Sequence, residues 1–116
     1  MADTTSFDAI IVGAGQAGKP LAIDLAGRGW SVALVERDQV GGTCINVGCT
    51  PTKTMVASAR VAWLAGQAGR YGVATGPVRV DLAAVRERKR AIVQSFRGGS
   101  ETRIAATPHL QLLRGE

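Results

Sequence analysis

Short apolar runs alternate with glycine-rich turns and helix-spaced segments along the first third of the chain. Phe7-Asp8-Ala9-Ile10-Ile11-Val12 is continuous and β-branched after Asp8, the pattern of a short strand in a parallel sheet covered on both faces. It runs straight into Gly13-Ala14-Gly15-Gln16-Ala17-Gly18. Leu21, Ala22, Leu25 and Ala26 then recur at helical spacing, and Gly27 and Gly29 mark the stop. Pro20 fits the first helical turn, where its missing N–H has no intrahelical role. Ser31-Val32-Ala33-Leu34-Val35 is a second short apolar strand ending at Glu36. Strand, glycine turn, helix and strand together make a βαβ unit, so the fold class expected is α/β.

Downstream the pattern loosens. Gln39 to Lys53 is glycine-rich and contains both cysteines. Thr54 to Ala68 reads as a helix with Val56, Ala59 and Trp63 on one packing face, and Tyr71 is likewise read as a packing residue. Gly69 to Pro77 is rich in turn residues. Asp81 is placed to cap a helix running through Phe96, and Leu110-Gln111-Leu112-Leu113 begins another strand.

Composition narrows the function classes. The chain has 116 residues, of which 46% are hydrophobic and 20% charged, the balance of one globular domain. A net charge of +5 raises the question of nucleic acid. The densest run, Arg86-Glu87-Arg88-Lys89-Arg90, sits among Leu82, Val85, Ile92, Val93 and Phe96 at roughly helical spacing. Its charges are therefore read as the wet face of an amphipathic helix. Aromatic residues are 4% of the chain, too few for base-stacking platforms. No nucleic-acid partner is expected. No run of 18 apolar residues is present, so no membrane span is expected. Met1 to Ser6 carries no positive charge, and Ala9 to Val12 is too short for a signal sequence, which points to the cytoplasm. Two cysteines and one histidine are too few for an ordinary structural zinc site, so no metal site is expected.

Gly13-x-Gly15-x-x-Gly18 sits where a dinucleotide would need it, after a strand and at the opening of a helix. Gly13 permits the tight turn, Gly15 lets backbone approach a pyrophosphate, and Gly18 lets helix and strand pack closely. The helix N-terminus adds N–H donors and positive potential for phosphate. Glu36, at the end of the second strand, is placed to accept hydrogen bonds from a ribose diol. The motif does not choose between FAD and NAD.

Gly41-Gly42-Thr43-Cys44-Ile45-Asn46-Val47-Gly48-Cys49-Thr50-Pro51-Thr52-Lys53 carries more information. It resembles the active-site signature of the class I pyridine nucleotide–disulfide oxidoreductases, the flavoprotein disulfide reductases. Among these the chain is most similar to mercuric reductase-like and dihydrolipoamide dehydrogenase-like members, although Thr50 and Thr52 depart from their commonest residues. The resemblance implies a Rossmann-like βαβ unit, part of an FAD-binding domain, with a redox-disulfide helix. Residues 1–116 would be the N-terminal part of that domain, with the NAD(P) and dimerisation domains outside it.

By resemblance, Cys44 is the interchange thiol that meets substrate. Cys49 lies against the flavin and exchanges electrons with it, and Lys53 stabilises negative charge on the reduced ring. Gly42 and Thr43 contact the FAD beside Gly13, Gly15, Gly18 and Glu36. The spacing has its own physics. In a regular helix, residues five apart are separated by about 7.5 Å along the axis, beyond the roughly 7 Å between Cα atoms that a disulfide spans. Bonding Cys44 to Cys49 therefore needs distorted backbone, which Gly48 permits and Pro51 helps maintain. Cys49, near a helix start, is placed for thiolate stabilisation by the helix dipole. The family's catalytic base is a C-terminal histidine paired with glutamate. His109 has Arg114 five residues on, and it is not matched to that role.

The function expected is that of an FAD-dependent NAD(P)H:disulfide or mercuric ion oxidoreductase. Electrons would pass from NAD(P)H to FAD, to Cys49 and Cys44, and then to a small disulfide, dithiol or thiophilic metal substrate. The parent enzyme would be a homodimer, and these residues alone would lack turnover. Two other readings stay open on the residues themselves: a non-enzymatic βαβ module whose dithiol captures soft metal ions, and a plain NAD-binding domain with incidental cysteines.

Overall fold

In the computed structural model, which describes residues 5–115, a parallel sheet carries a long helical arm. Met1 to Thr4, the start of the segment read above for a leader, and Glu116 lie outside the described residues. Strand β1 (Ala9–Val12) leads through the glycine turn into helix α1 (Gly18–Gly27) and back to β2 (Val32–Glu36). The short α2 (Gly42–Asn46) is followed by α3 (Cys49–Gly66), a 3-10 turn (Ala68–Tyr71), α4 (Leu82–Ala105) and β3 (Leu110–Arg114). The sheet order is β1-β2-β3, all parallel, with Ile11 opposite Leu34 and Leu34 opposite Leu112.

The βαβ unit is built as the sequence pattern predicts. Ala22 and Ala26 of α1 are buried against Val32 and Leu34, and Val40 and Ile104 complete that core. Small alanines let α1 approach the sheet closely. Pro20 does occupy the first turn of α1.

Four expectations need correction. β1 is not buried on both faces: Ile11 packs against the core, while Ile10 is 65% and Val12 78% exposed. One sheet face is covered by α1 and the end of α4, and β1 turns its other face outward. The helix expected from Thr54 starts five residues earlier, at Cys49, and the short α2 before it holds Cys44. The glycines there break the helix at Gly48 rather than prevent it. α4 is capped by Asp81, whose Oδ1 accepts from the Ala84 N–H at 3.0 Å, but it continues nine residues past Phe96 through Gly98 and Gly99. Burial of Ser100 and Ile104 outweighs the weak helix propensity of the two glycines. Finally, Trp63 and Tyr71 are exposed rather than packed. Trp63 instead carries the Arg60 guanidinium 5.5 Å from its ring centre.

The arm explains this exposure. α3 and α4 run side by side, tied where the Arg88 Nη1 donates to the Thr54 carbonyl at 3.2 Å and to the Ser58 hydroxyl at 3.4 Å. Thr54 is the buried residue of α3, and Val93 is the buried apolar residue in the first half of α4. Val56, Val61, Leu82 and Phe96 remain exposed along the arm. The molecule extends over 73 × 26 × 18 Å with a radius of gyration of 20.5 Å. A compact chain of this length would have a radius of about 13 Å.

Such a chain is expected to fold poorly in isolation, with uncovered apolar surface and unpaired outer edges on β1 and β3. Expressed alone, the 116 residues should melt broadly and bind the dye ANS in buffer. A sharp, cooperative melt of a dye-free monomer would contradict this.

Candidate active site

The glycine turn is shaped by steric demand at one end and left open at the other. Gly13 closes β1 with φ +95°, and its N–H donates to the Val35 carbonyl at 2.7 Å. A Cβ on Gly18 would lie 1.9 Å from the Gly13 carbonyl oxygen, so α1 can start against β1 only with glycine there. This is the packing role the motif assigns to its last glycine. A Cβ on Gly15 would meet nothing nearer than the Gly42 Cα at 4.0 Å. The N–H groups of Gly15, Gln16 and Ala17 find no acceptor among the described residues. Open space above Gly15 and free donors at a helix N-terminus are what an approaching phosphate needs.

Glu36 sits behind this turn rather than beside it. Its Oε2 accepts from the Ala14 N–H at 2.8 Å and its Oε1 from the Asp38 N–H at 2.9 Å. Burial pushes this carboxyl up. The Asp38 and Ala14 N–H groups, the Arg114 guanidinium and the Arg37 N–H outweigh that and hold it below the usual carboxylate value. Three N–H groups on a carboxylate with about four acceptor sites leave room for a further donor. Glu36 also lines two neighbouring clefts, one of about 330 Å³ shared with Gly42 and Thr43 and one of about 390 Å³ shared with Gly13.

The cysteine loop is pressed against the same turn. The Gly41 N–H donates to the Ala14 carbonyl at 2.8 Å. Gly42, at φ +62°, comes so near that an added Cβ would be 3.0 Å from the Gly15 Cα. The backbone then breaks between the cysteines, the distortion that a bond between them would need. α2 ends at Asn46, Gly48 takes φ −116° and ψ −106°, and α3 begins at Cys49. A Cβ on Gly48 would sit 3.0 Å from the Thr43 carbonyl oxygen.

Both cysteines are free thiols in this structure, Cys44 half-buried and Cys49 exposed. A hydrogen bond to the Cys49 sulfur, with burial and the Cys49 charge, pushes the Cys44 thiol up. The Cys49 N–H and Lys53 pull less strongly the other way. The pair, Lys53 and Gln16 line one cleft of about 520 Å³ together with Ile92 and Phe96 of α4. The residues singled out by motif thus fall into two adjoining groups: Gly13, Gly15, Gly18, Glu36, Gly42 and Thr43 around the turn, and Cys44, Cys49 and Lys53 in the cleft.

His109 is elsewhere. It precedes β3 in left-handed backbone, φ 64°, at the end of the parallel sheet opposite the glycine turn.

Several residues of the site are not marked by local pattern. The Asn46 Nδ2 donates to the Gly42 carbonyl at 2.9 Å and the Val40 carbonyl at 3.1 Å, stitching the loop to itself. Arg97 of α4 clamps it, with Nε 2.8 Å from the Asn46 Oδ1 and Nη2 2.6 Å from the Gln39 Oε1. Lys19 reaches the cysteine cleft with its Nζ donating to the Ser100 hydroxyl at 2.9 Å. Asn46 stands inside the cysteine motif and could have been found there. Arg97 and Ser100 come from a distant helix and could not.

Comparison with known proteins follows the same lines. The family described as pyridine nucleotide-disulphide oxidoreductase matches residues 7–112. A dihydrolipoyl dehydrogenase of Chlamydia pneumoniae is 39% identical over 98 residues, covering 84% of this chain and 21% of that protein. A mercuric reductase of Staphylococcus aureus is 36% identical over 110 residues, covering 95% of this chain and 20% of that protein. Among solved structures, the Cu(II) complex of the HOCl-induced flavoprotein disulfide reductase RclA from Escherichia coli superposes with a TM-score of 0.79 at 34% identity. That match covers 97% of this chain and 22% of the other. The chain thus spans about a fifth of the length of the proteins it matches. Among the described residues, no helix is long and apolar enough to cross a membrane, and no group of three or more His, Cys, Asp or Glu could hold a metal ion.

The coupling between the thiols can be read by alkylation of the reduced protein. Cys44 should react with iodoacetamide with a pH midpoint above the ordinary thiol value of about 8.5. Cys49→Ala removes the hydrogen bond and the charge that raise it, so the midpoint should fall. A midpoint that stays or rises, followed by mass spectrometry of the Cys44 peptide, would contradict the coupling.

Proposed function

The chain belongs to the pyridine nucleotide-disulphide oxidoreductase family, and we propose that it is the part of such an enzyme that holds FAD and the redox-active cysteine pair. The observation that carries this reading is the abutment of two turns. A phosphate-ready glycine turn packs directly on a loop whose cysteines share a cleft with Lys53.

FAD, when bound, would supply a carrier able to take an electron pair from a nicotinamide and hand it to a disulfide. The free N–H groups above Gly15 would hold its pyrophosphate, with Gly13 and Gly18 setting the turn. Glu36 would accept from a ribose hydroxyl with its remaining acceptor capacity, while Gly42 and Thr43 would line the passage between turn and cysteines. Lys53 would be the cation beside the ring system, Cys49 the sulfur that faces it, and Cys44 the sulfur that faces substrate. NAD(P)H would act as co-substrate through residues outside this chain. A homodimer and a cytoplasmic setting, where thiols are kept reduced, complete the proposal.

Reduction of a substrate disulfide then needs only the cysteines. The Cys44 thiolate attacks one substrate sulfur, the substrate S–S bond breaks, and the first thiol leaves. Cys49 attacks the Cys44 sulfur of the mixed disulfide, releasing the second thiol as the Cys44–Cys49 bond forms. The electron pair and both protons of the dithiol end on the two product thiols. A thiophilic ion such as Hg(II) would be met by the same thiolates. The motif and cleft are common to these substrates, so substrate identity is assigned to residues outside the motif.

The roles of the sulfurs are separable by visible absorption of the oxidised flavoprotein across a pH titration. Cys44→Ser should leave Cys49 as a thiolate beside the flavin and produce a long-wavelength band without turnover. Cys49→Ser should show neither band nor electron transfer to substrate, while FAD is retained. The reverse pattern would exchange the assignments, and a protein that purifies without flavin would refute the reading.

A further inference from the structure

The cysteine cleft contains a second lysine that the family signature does not explain. Lys19 follows Gly18 at the start of α1, and its Nζ donates to the Ser100 hydroxyl at 2.9 Å. Ser100 is buried on α4 and in turn donates to the Phe96 carbonyl at 2.9 Å. The ammonium is therefore tethered to a neutral partner across the cleft, not neutralised by a carboxylate. Lys53 lines the same cleft, and none of the residues lining it is acidic. Nearby acids are engaged elsewhere: Glu101 pairs with Arg114 at 3.3 Å and Asp24 with Arg28 at 2.9 Å. Ile92 and Phe96 supply apolar lining to the same cleft.

With Lys53 assigned to the flavin, the Lys19 ammonium, a reactive sulfur and an apolar lining define the ligand class on the substrate side. We propose that Lys19, positioned by Ser100, makes this cleft selective for anionic disulfides, those carrying carboxylate groups near the reacting sulfurs. The inference rests on the assignment of Cys44 and Cys49 as the exchanging pair. Lys19 would bind the carboxylate of the incoming disulfide and favour the thiolate that leaves when Cys44 attacks. It acts as a specificity-determining residue, and the bonds made and broken are those already described. A cation tethered by a part-buried hydrogen bond discriminates charge more strongly than a freely solvated surface lysine.

The test measures thiol–disulfide exchange of the reduced flavoprotein, by quenched flow and mass spectrometry, with disulfides of similar size and different charge. The probes are the dianion dithiodiglycolate, the neutral disulfide of mercaptoethanol and the dication cystamine. Each rate is divided by that of dithiothreitol with the same probe. The wild-type protein should favour the dianion over the dication by about tenfold at low salt, less as salt is added. Lys19→Met should reduce that preference by about threefold or more, Lys19→Arg should preserve it, and Ser100→Ala should weaken it. An unchanged preference in Lys19→Met would assign the selectivity to the protein's overall positive charge and overturn the proposal, as would a wild-type protein that does not discriminate. Circular dichroism of each variant separates misfolding from lost selectivity, and the conservative arginine variant reads the charge in a side chain of similar length. Flavin content of the same samples reports on the FAD assignment separately, because exchange by the cysteines needs no flavin.

Discussion

The peptide units flanking Ala14 are held from opposite sides, and the rest of the site is arranged around them. The Ala14 N–H donates to the carboxylate of Glu36, and the Ala14 carbonyl accepts from the Gly41 N–H, each at 2.8 Å. One bond fixes the glycine turn to the end of β2, and the other fixes the cysteine loop to the glycine turn. Ala14 is fully buried, so both bonds lie out of water and breaking either would strand a buried polar group. Glu36 is thus a structural anchor as well as a candidate nucleotide ligand. Its carboxylate, stabilised by N–H donors on both sides, holds the turn most firmly where it is ionised. That support is present above the unfolded carboxyl value of about 4.3 and is lost as pH falls through the lower folded value.

This arrangement shows which parts of the molecule were legible in the sequence. The βαβ unit was readable because period, turn chemistry and helix stop agree in one short stretch. The requirement for Gly18 follows from the same local logic, and the structure gives it a cause in the Gly13 carbonyl oxygen. The break between Cys44 and Cys49 was foreseeable once the resemblance paired them, because a regular helix holds residues five apart too far from each other to bond. Hidden from sequence were the partners that arrive from far along the chain: Arg97 on Asn46, Ser100 on Lys19, and Ile92 with Phe96 in the lining of the cysteine cleft. Periodicity places such residues on a helix but does not say which other element they meet.

The misread elements share one physical reason. Apolar spacing alone does not fix burial: Ile10, Val12, Val56 and Trp63 keep their periodicity while remaining exposed. Amphipathic pattern reports that a surface suits an apolar neighbour, not that the neighbour belongs to the same 116 residues. The helices likewise ran longer than their local signals, since tertiary burial at Ser100 and Ile104 overrode Gly98 and Gly99.

On the proposed function, the nucleotide turn and the cysteine pair form a single electron-transfer site. Anaerobic titration of the oxidised flavoprotein with a calibrated reductant measures this most directly. A coupled site takes up one electron pair at the Cys44–Cys49 disulfide and another at the flavin, with the thiols appearing, by alkylation, before the flavin is fully bleached. Uptake of a single pair, with the cysteines still unreactive when the flavin is fully reduced, would contradict it.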